Sequence, residues 1–167
     1  MHRITSYNRI VIKIGSAVLA DSDGRVNHTV LSSISEDVAW LIKNGKEVLI
    51  VSSGAIALGR KKIKFSENLT LPESQALAAH GQIELISAWK KHLNKFSILV
   101  SQILLTPRDT ELKLSSKNAQ QTVNKLLEVG CIPIINENDT TATDEIKFGD
   151  NDLLASKVAK LIGADLL

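Results

Sequence analysis

Aromatic side chains are scarce: Phe, Trp and Tyr make up 4% of the 167 residues. The core must therefore be aliphatic, and stacking platforms for nucleic-acid bases are missing. A single cysteine, Cys131, excludes an internal disulfide. It opens an apolar run, where a small buried hydrophobe fits. His2, His28, His80 and His92 show no metal-ligand spacing. An excess of either charge is also lacking. Lys and Arg number 20 against 18 for Asp and Glu, giving a net charge of +2. That balance argues against a nucleic-acid partner, which would want a dense basic face. The basic cluster Arg60, Lys61, Lys62 and Lys64 suits a solvated helix end. No apolar run is long enough to span a bilayer, and no signal peptide opens the chain. No membrane partner is expected, and the cytoplasm is the expected compartment. The phosphate-binding patterns GxxxxGK[ST] and GxGxxG are absent, as is the hydrolase pattern GxSxG.

What is present suits one domain with an ordinary core: 44% of residues are hydrophobic and 23% charged. Apolar strand-like runs alternate with helical patterns, which predicts an α/β fold with a mainly parallel sheet. Arg9 to Ile14 is the first predicted strand, with Gly15 and Ser16 as the following turn. Asn27 caps a predicted helix to Lys43, and Asn44-Gly45 ends it. Glu47 to Val51 is the second strand, and a short helix follows from about Ala55. Pro72 suits the first turn of a long helix to about Asn94. Phe96 to Val100 is the third strand, Ser115 to Val129 a helix, and Ile132 to Ile135 the fourth strand. Asp150 or Asn151 caps a last helix that Gly163 terminates. Asp165 to Leu167 begins a fifth strand, so the chain reads as part of something longer.

The chain is organised around Ile132 to Asp152. It begins apolar and β-branched, then turns polar at Asn136. Six carboxylates follow (Glu137, Asp139, Asp144, Glu145, Asp150, Asp152), mixed with Asn136, Asn138 and Asn151. A buried strand that ends in carboxylates and amides sets them at the carboxyl end of a sheet, where ligands bind in open α/β folds. An acidic surface loop is the bland alternative.

Three features could carry chemistry. Lys13 interrupts an apolar strand just before Gly15-Ser16. An ammonium there wants a partner, and a phosphate met by backbone N–H groups of the turn would supply one. A snorkelling edge-strand lysine explains it equally well. Ser52-Ser53-Gly54-Ala55 offers small residues at a strand-to-helix junction, for close ligand approach or simply for a tight turn. Asp139 and Asn151 could bind the ammonium and carboxylate of an amino acid. Asp150 and Asp152 could instead cap the last helix.

The order VIKIGS, VSSGAIALG, QILLT, PIINENDTTAT, KFGDNDLLA resembles the amino-acid kinase family from about Ile10 to the end. NEND and FGDND are the specific pieces, and they look like the branch that phosphorylates glutamate. The resemblance implies a mainly parallel sheet sandwiched by helices. It implies ATP-dependent phosphorylation of the side-chain carboxylate of L-glutamate, the first step of proline biosynthesis, with Mg2+ carried by ATP. Lys13 would bind the transferring phosphates, and Gly15 and Ser16 would add backbone N–H groups. Ser53, Asp139 and Asn151 would hold glutamate, and Asp150 would organise the catalytic Lys13. Residues 1–167 would be the N-terminal part of the kinase domain, lacking the nucleotide half and the PUA domain that many members add. A non-catalytic remnant that binds glutamate or proline is the alternative, as is a related kinase for another acid. Expected partners are glutamate, ATP, proline as a feedback ligand, and either further copies or a complementing second chain.

Overall fold

The computed structural model describes residues 6–21, 23–141 and 151–167. Four parallel strands form one sheet in the order β1-β2-β4-β3: β1 Arg9–Ile14, β2 Glu47–Ser52, β3 Leu99–Leu105 and β4 Cys131–Glu137. Helices cover both faces, so the predicted α/β class holds. The alternation of side chains along each strand sorts the core into two layers. Ile10, Ile14, Val48, Ile50, Ile132 and Ile134 face one way. They meet α2 (His28–Lys43), α3 (Ala55–Arg60) and α4 (Leu71–Leu93). Val11, Leu49, Val51 and Ile135 face the other way, against α6 (Lys113–Glu128) and α7 (Asn151–Ile162). Trp89 is fully buried against the first layer and donates its indole N–H to Ser52 Oγ at 3.0 Å. Among the described residues no helix is long and apolar enough to cross a membrane.

Local signals explain most boundaries. Asn27 Oδ1 accepts from Val30 N at 3.2 Å and starts α2. Gly45 at φ +73°, Gly130 at +72° and Gly163 at +64° follow the ends of α2, α6 and α7. Thr70 and Glu73 form a capping box at the start of α4, with Pro72 in its first turn.

The third strand departs from expectation. Asn94–Phe96 tighten into a 3-10 turn, Ser97 reverses the chain at φ +59°, and β3 begins only at Leu99. β3 lies on the sheet edge, so Ser101 and Gln102 sit within it without burial on both faces. Two short helices also escape the periodicity: α1 (Ser16–Leu19), and α5 (Pro107–Glu111) under a Thr106–Asp109 capping box. The expected fifth strand is a single parallel bridge, Ile10 to Leu166, beside β1.

One helix crossing matters for the site. An ideal Cβ on Gly81 would lie 1.8 Å from the Ala55 carbonyl oxygen, and one on Gly59 would lie 2.1 Å from that of Leu77. Only glycine lets α3 and α4 approach so closely. The crossing brings α4 against the loop that follows β2.

Candidate active site

The carboxyl ends of β1, β2 and β4 open into a cavity of about 450 Å³. Its lining includes Lys13, Gly15, Ser16, Ser53, Asn136, Glu137, Asp139 and Asn151. Six residues singled out from sequence therefore line one cavity: Lys13, Gly15, Ser16, Ser53, Asp139 and Asn151. The seventh, Asp150, lies outside the described residues, as do Asp144 and Glu145.

Lys13 shares the strand face of Val11, toward α7. Its Nζ lies 2.6 Å from Asp152 Oδ1, in the first turn of α7. The lysine does not merely snorkel; it has a carboxylate partner. Asp152 was read from sequence only as a possible cap. Its place two residues after Asp150 in the same FGDND piece was the available signal.

Gly15 sits at φ −75°, which any residue adopts, so the turn itself does not require glycine. A Cβ at Gly15 would instead point toward Lys13 Nζ, 3.6 Å away. Its absence leaves space beside the ammonium. Gly54 is different: φ +114° is a left-handed backbone that favours glycine, and it carries the chain from Ser53 into α3.

The fourth strand continues two residues beyond Ile135, so Asn136 and Glu137 are buried strand residues rather than the start of a loop. Asn136 follows the parity of Ile132 and Ile134 and faces α4. Its Oδ1 accepts from Glu137 N at 2.9 Å and from Asn151 Nδ2 at 2.9 Å. Asn151 Nδ2 also donates to Ser53 Oγ at 2.7 Å. Among the described residues Asn151 Oδ1 is buried without a hydrogen-bond partner. Asn136 was not singled out as a site residue, because an amide at a strand end looks like any loop amide in sequence.

Asp139 opens a 3-10 turn after β4. Burial pushes its carboxyl up to about 6, and the neighbouring Glu137 charge adds to the rise. A half-buried carboxylate whose charge is disfavoured in this way gains from a cationic partner. The cavity thus offers a lysine ammonium beside an open glycine, together with an acidic group, an amide oxygen and a hydroxyl. That set suits a small ligand bearing an ammonium and carboxylates, next to an anion. Among the described residues no group of three or more His, Cys, Asp or Glu side chains is placed to hold a metal ion.

Residues 8–167 match the profile of a family described as the amino acid kinase family. The glutamate 5-kinase of Agrobacterium fabrum is 54% identical over 165 residues, covering 98% of this chain and 42% of the relative. The glutamate 5-kinase of Rhizobium etli (strain CIAT 652) is 52% identical over 165 residues with the same coverage. That of Bradyrhizobium diazoefficiens is 51% identical over 166 residues, covering 98% of this chain and 44% of the relative. The chain thus spans about two-fifths of the length of the curated relatives it matches.

Proposed function

We propose that this chain, which belongs to the amino-acid kinase family, is the glutamate-binding part of a glutamate 5-kinase. One observation carries the reading: Lys13 lines the same cavity as Ser53, Asp139 and Asn151. An acceptor carboxylate and a transferring phosphate must meet within one such space. In the proposed complex, Asp139 pairs with the α-ammonium of L-glutamate and Asn151 Oδ1 accepts one of its protons. Ser53 accepts from Asn151, so its own hydroxyl proton is left to donate to a ligand carboxylate. The side-chain carboxylate of glutamate then points toward Lys13.

With ATP bound, an oxygen of that carboxylate attacks the γ-phosphorus, glutamyl 5-phosphate forms and ADP leaves. Lys13 neutralises charge on the transferring group, and the backbone N–H groups of Gly15 and Ser16 add to it. Asp152 holds Lys13 in place, the role expected of Asp150, which is retained here as a proposal from the motif. Mg2+ enters as the counter-ion of ATP. The adenine pocket is assigned to the part of the relatives that this chain does not span. Residues 1–167 would then be one part of a larger kinase domain, and the first step of proline biosynthesis its reaction. Proline as a feedback ligand, self-association, a complementing second chain and a cytoplasmic setting belong to the same proposal.

Glutamate binding without turnover is the rival outcome, and the two-fifths coverage favours it for the isolated chain. Calorimetry with L-glutamate tests the proposal. Saturable binding that Asp139→Asn weakens by about 1.5–3 kcal/mol supports it, because that is the usual cost of losing a charged hydrogen-bond partner. No binding of L-glutamate would refute it.

A further inference from the structure

A chain of side-chain amides runs from exposed Gln102 at the sheet edge through three buried residues to the cavity. Gln102 Oε1 on β3 accepts from Gln82 Nε2 at 3.3 Å. Gln82 Oε1 accepts from Asn136 Nδ2 at 2.9 Å. Asn136 Oδ1 accepts from Asn151 Nδ2. Gln82, Asn136 and Asn151 are 8%, 2% and 5% exposed. In a buried amide pair only one of the two flips gives a donor facing an acceptor.

Here one flip is anchored. Glu137 N is a backbone donor 2.9 Å from Asn136, so the atom it meets must be the Asn136 oxygen. The other end of Asn136 is then a donor, and it needs the Gln82 oxygen. On the cavity side, Asn151 must present its NH₂ to the Asn136 oxygen. Both of its N–H groups are thereby used, on Asn136 and on Ser53. The Asn151 oxygen is left over, buried and unpartnered among the described residues. It can take only a donor.

We propose that Gln82 is a positioning residue for the ammonium of an amino-acid ligand. It accepts from the donor end of the Asn136 amide, whose flip the Glu137 N–H sets, and so holds that amide where its oxygen keeps Asn151 turned with its own oxygen toward the ligand. The inference rests on the proposed glutamate binding in the same cavity. Gln82 touches no lining carboxylate in this role and acts through two other side chains. The Gly81–Ala55 crossing sets its place, because it fixes α4 one residue away from Gln82.

The experiment is an NMR titration of the 167-residue chain with L-glutamate and with glutarate, which lacks the ammonium. Gln82→Leu removes the acceptor at similar volume. It should weaken L-glutamate about tenfold, as an unsatisfied buried amide would, and leave glutarate within about twofold. Equal losses for both ligands would mean that Gln82 only supports the fold, and overturn the role. Unchanged affinity for both would overturn it as well. If the wild-type chain does not bind L-glutamate, the functional reading fails and this inference falls with it, which separates the two failures. Should Gln82→Leu not fold, Gln82→Met is titrated. The wild-type side-chain NH₂ protons of Asn136 and Asn151 are also followed by hydrogen exchange. Slow exchange of both is expected, and fast exchange would overturn the anchored network.

Discussion

Asp152 Oδ1 lies 2.6 Å from Lys13 Nζ and ties the first turn of α7 to the end of β1. The pair is lopsided: the Lys13 side chain is 27% exposed and that of Asp152 is 76% exposed. An ion pair so open to water stabilises a fold by less than about 1 kcal/mol. Its consequence is geometric. A long lysine side chain is held at the cavity wall rather than left to sample its rotamers.

Asp152→Asn is therefore predicted to move the melting temperature little and to weaken anion binding. Lys13→Ala should weaken it further. Titration with ATP or pyrophosphate, beside a parallel titration with L-glutamate, reads both. The expected pattern is a loss of phosphate affinity that exceeds any loss of glutamate affinity. Equal losses for the two ligands would point to a folding defect and return Lys13 to a structural role.

Lys13 was legible as a charge inside an apolar strand, Ser53 as a small residue at a strand-to-helix junction, and Asn151 as part of the polar FGDND piece. Period-two alternation from Val11 puts Lys13 toward α7, and the same alternation puts Ser52 and Asn136 toward α4. What the sequence did not disclose are partners reached across the fold. Gln82 lies 54 residues from Asn136 and carries no motif. Asp152 could be read only as a cap until the first turn of α7 was seen to lie beside Lys13 at the end of β1. The third strand was misplaced because a 3-10 turn and the left-handed Ser97 intervene, and an edge strand needs no continuous apolar run. Asp150, the carboxylate expected to organise Lys13, lies outside the described residues.

Asp139 links ligand binding to pH. Its folded-state value of about 6 exceeds the ordinary carboxylate value, with burial as the larger cause and Glu137 as the smaller. The folded chain therefore binds this proton more tightly than the unfolded chain does. On this account stability falls as pH rises from about 4 to about 6, and is flat above that. Asp139→Asn removes the penalty. We predict that it stabilises the free chain at pH 7 by on the order of 1–3 kcal/mol and by almost nothing below pH 4. It should still weaken L-glutamate. Urea melts at the two pH values check the sign. A variant destabilised at pH 7 would show that Asp139 already has a stabilising partner in the free chain. In the wild type, glutamate affinity should drop as pH falls below about 6, because the ammonium needs the ionised carboxylate.

The α3–α4 crossing admits no side chain. Gly81→Ala would put a Cβ 1.8 Å from the Ala55 carbonyl oxygen, with backbone on both sides of the clash. Overpacking of this kind costs roughly 1–3 kcal/mol or more. We predict a lower urea midpoint with an unchanged slope. Weaker L-glutamate binding should accompany it, since α4 carries Gln82. An unaltered midpoint would show that the two helices can separate without cost.

The last prediction concerns phosphoryl transfer by the chain alone. The transferring group carries charge on three equatorial oxygens, and each needs a fixed donor or cation. The described cavity supplies Lys13 and the turn at Gly15 and Ser16, with Arg60 farther along its wall. The curated relatives are more than twice as long, and this chain covers 42% of the first of them. We predict that the 167-residue chain binds L-glutamate but releases ADP from ATP at no more than a trace rate. Adding the remaining part of a relative such as the Agrobacterium fabrum enzyme, made as a separate chain, should raise that rate if the two parts can share one sheet. A coupled ADP-release assay with glutamate, run with and without the second chain, makes the comparison. Lys13→Ala in the mixture should abolish the gain, which ties the turnover to this chain's own cavity. Full-rate turnover by the 167 residues alone would overturn the prediction and place a working nucleotide site within them.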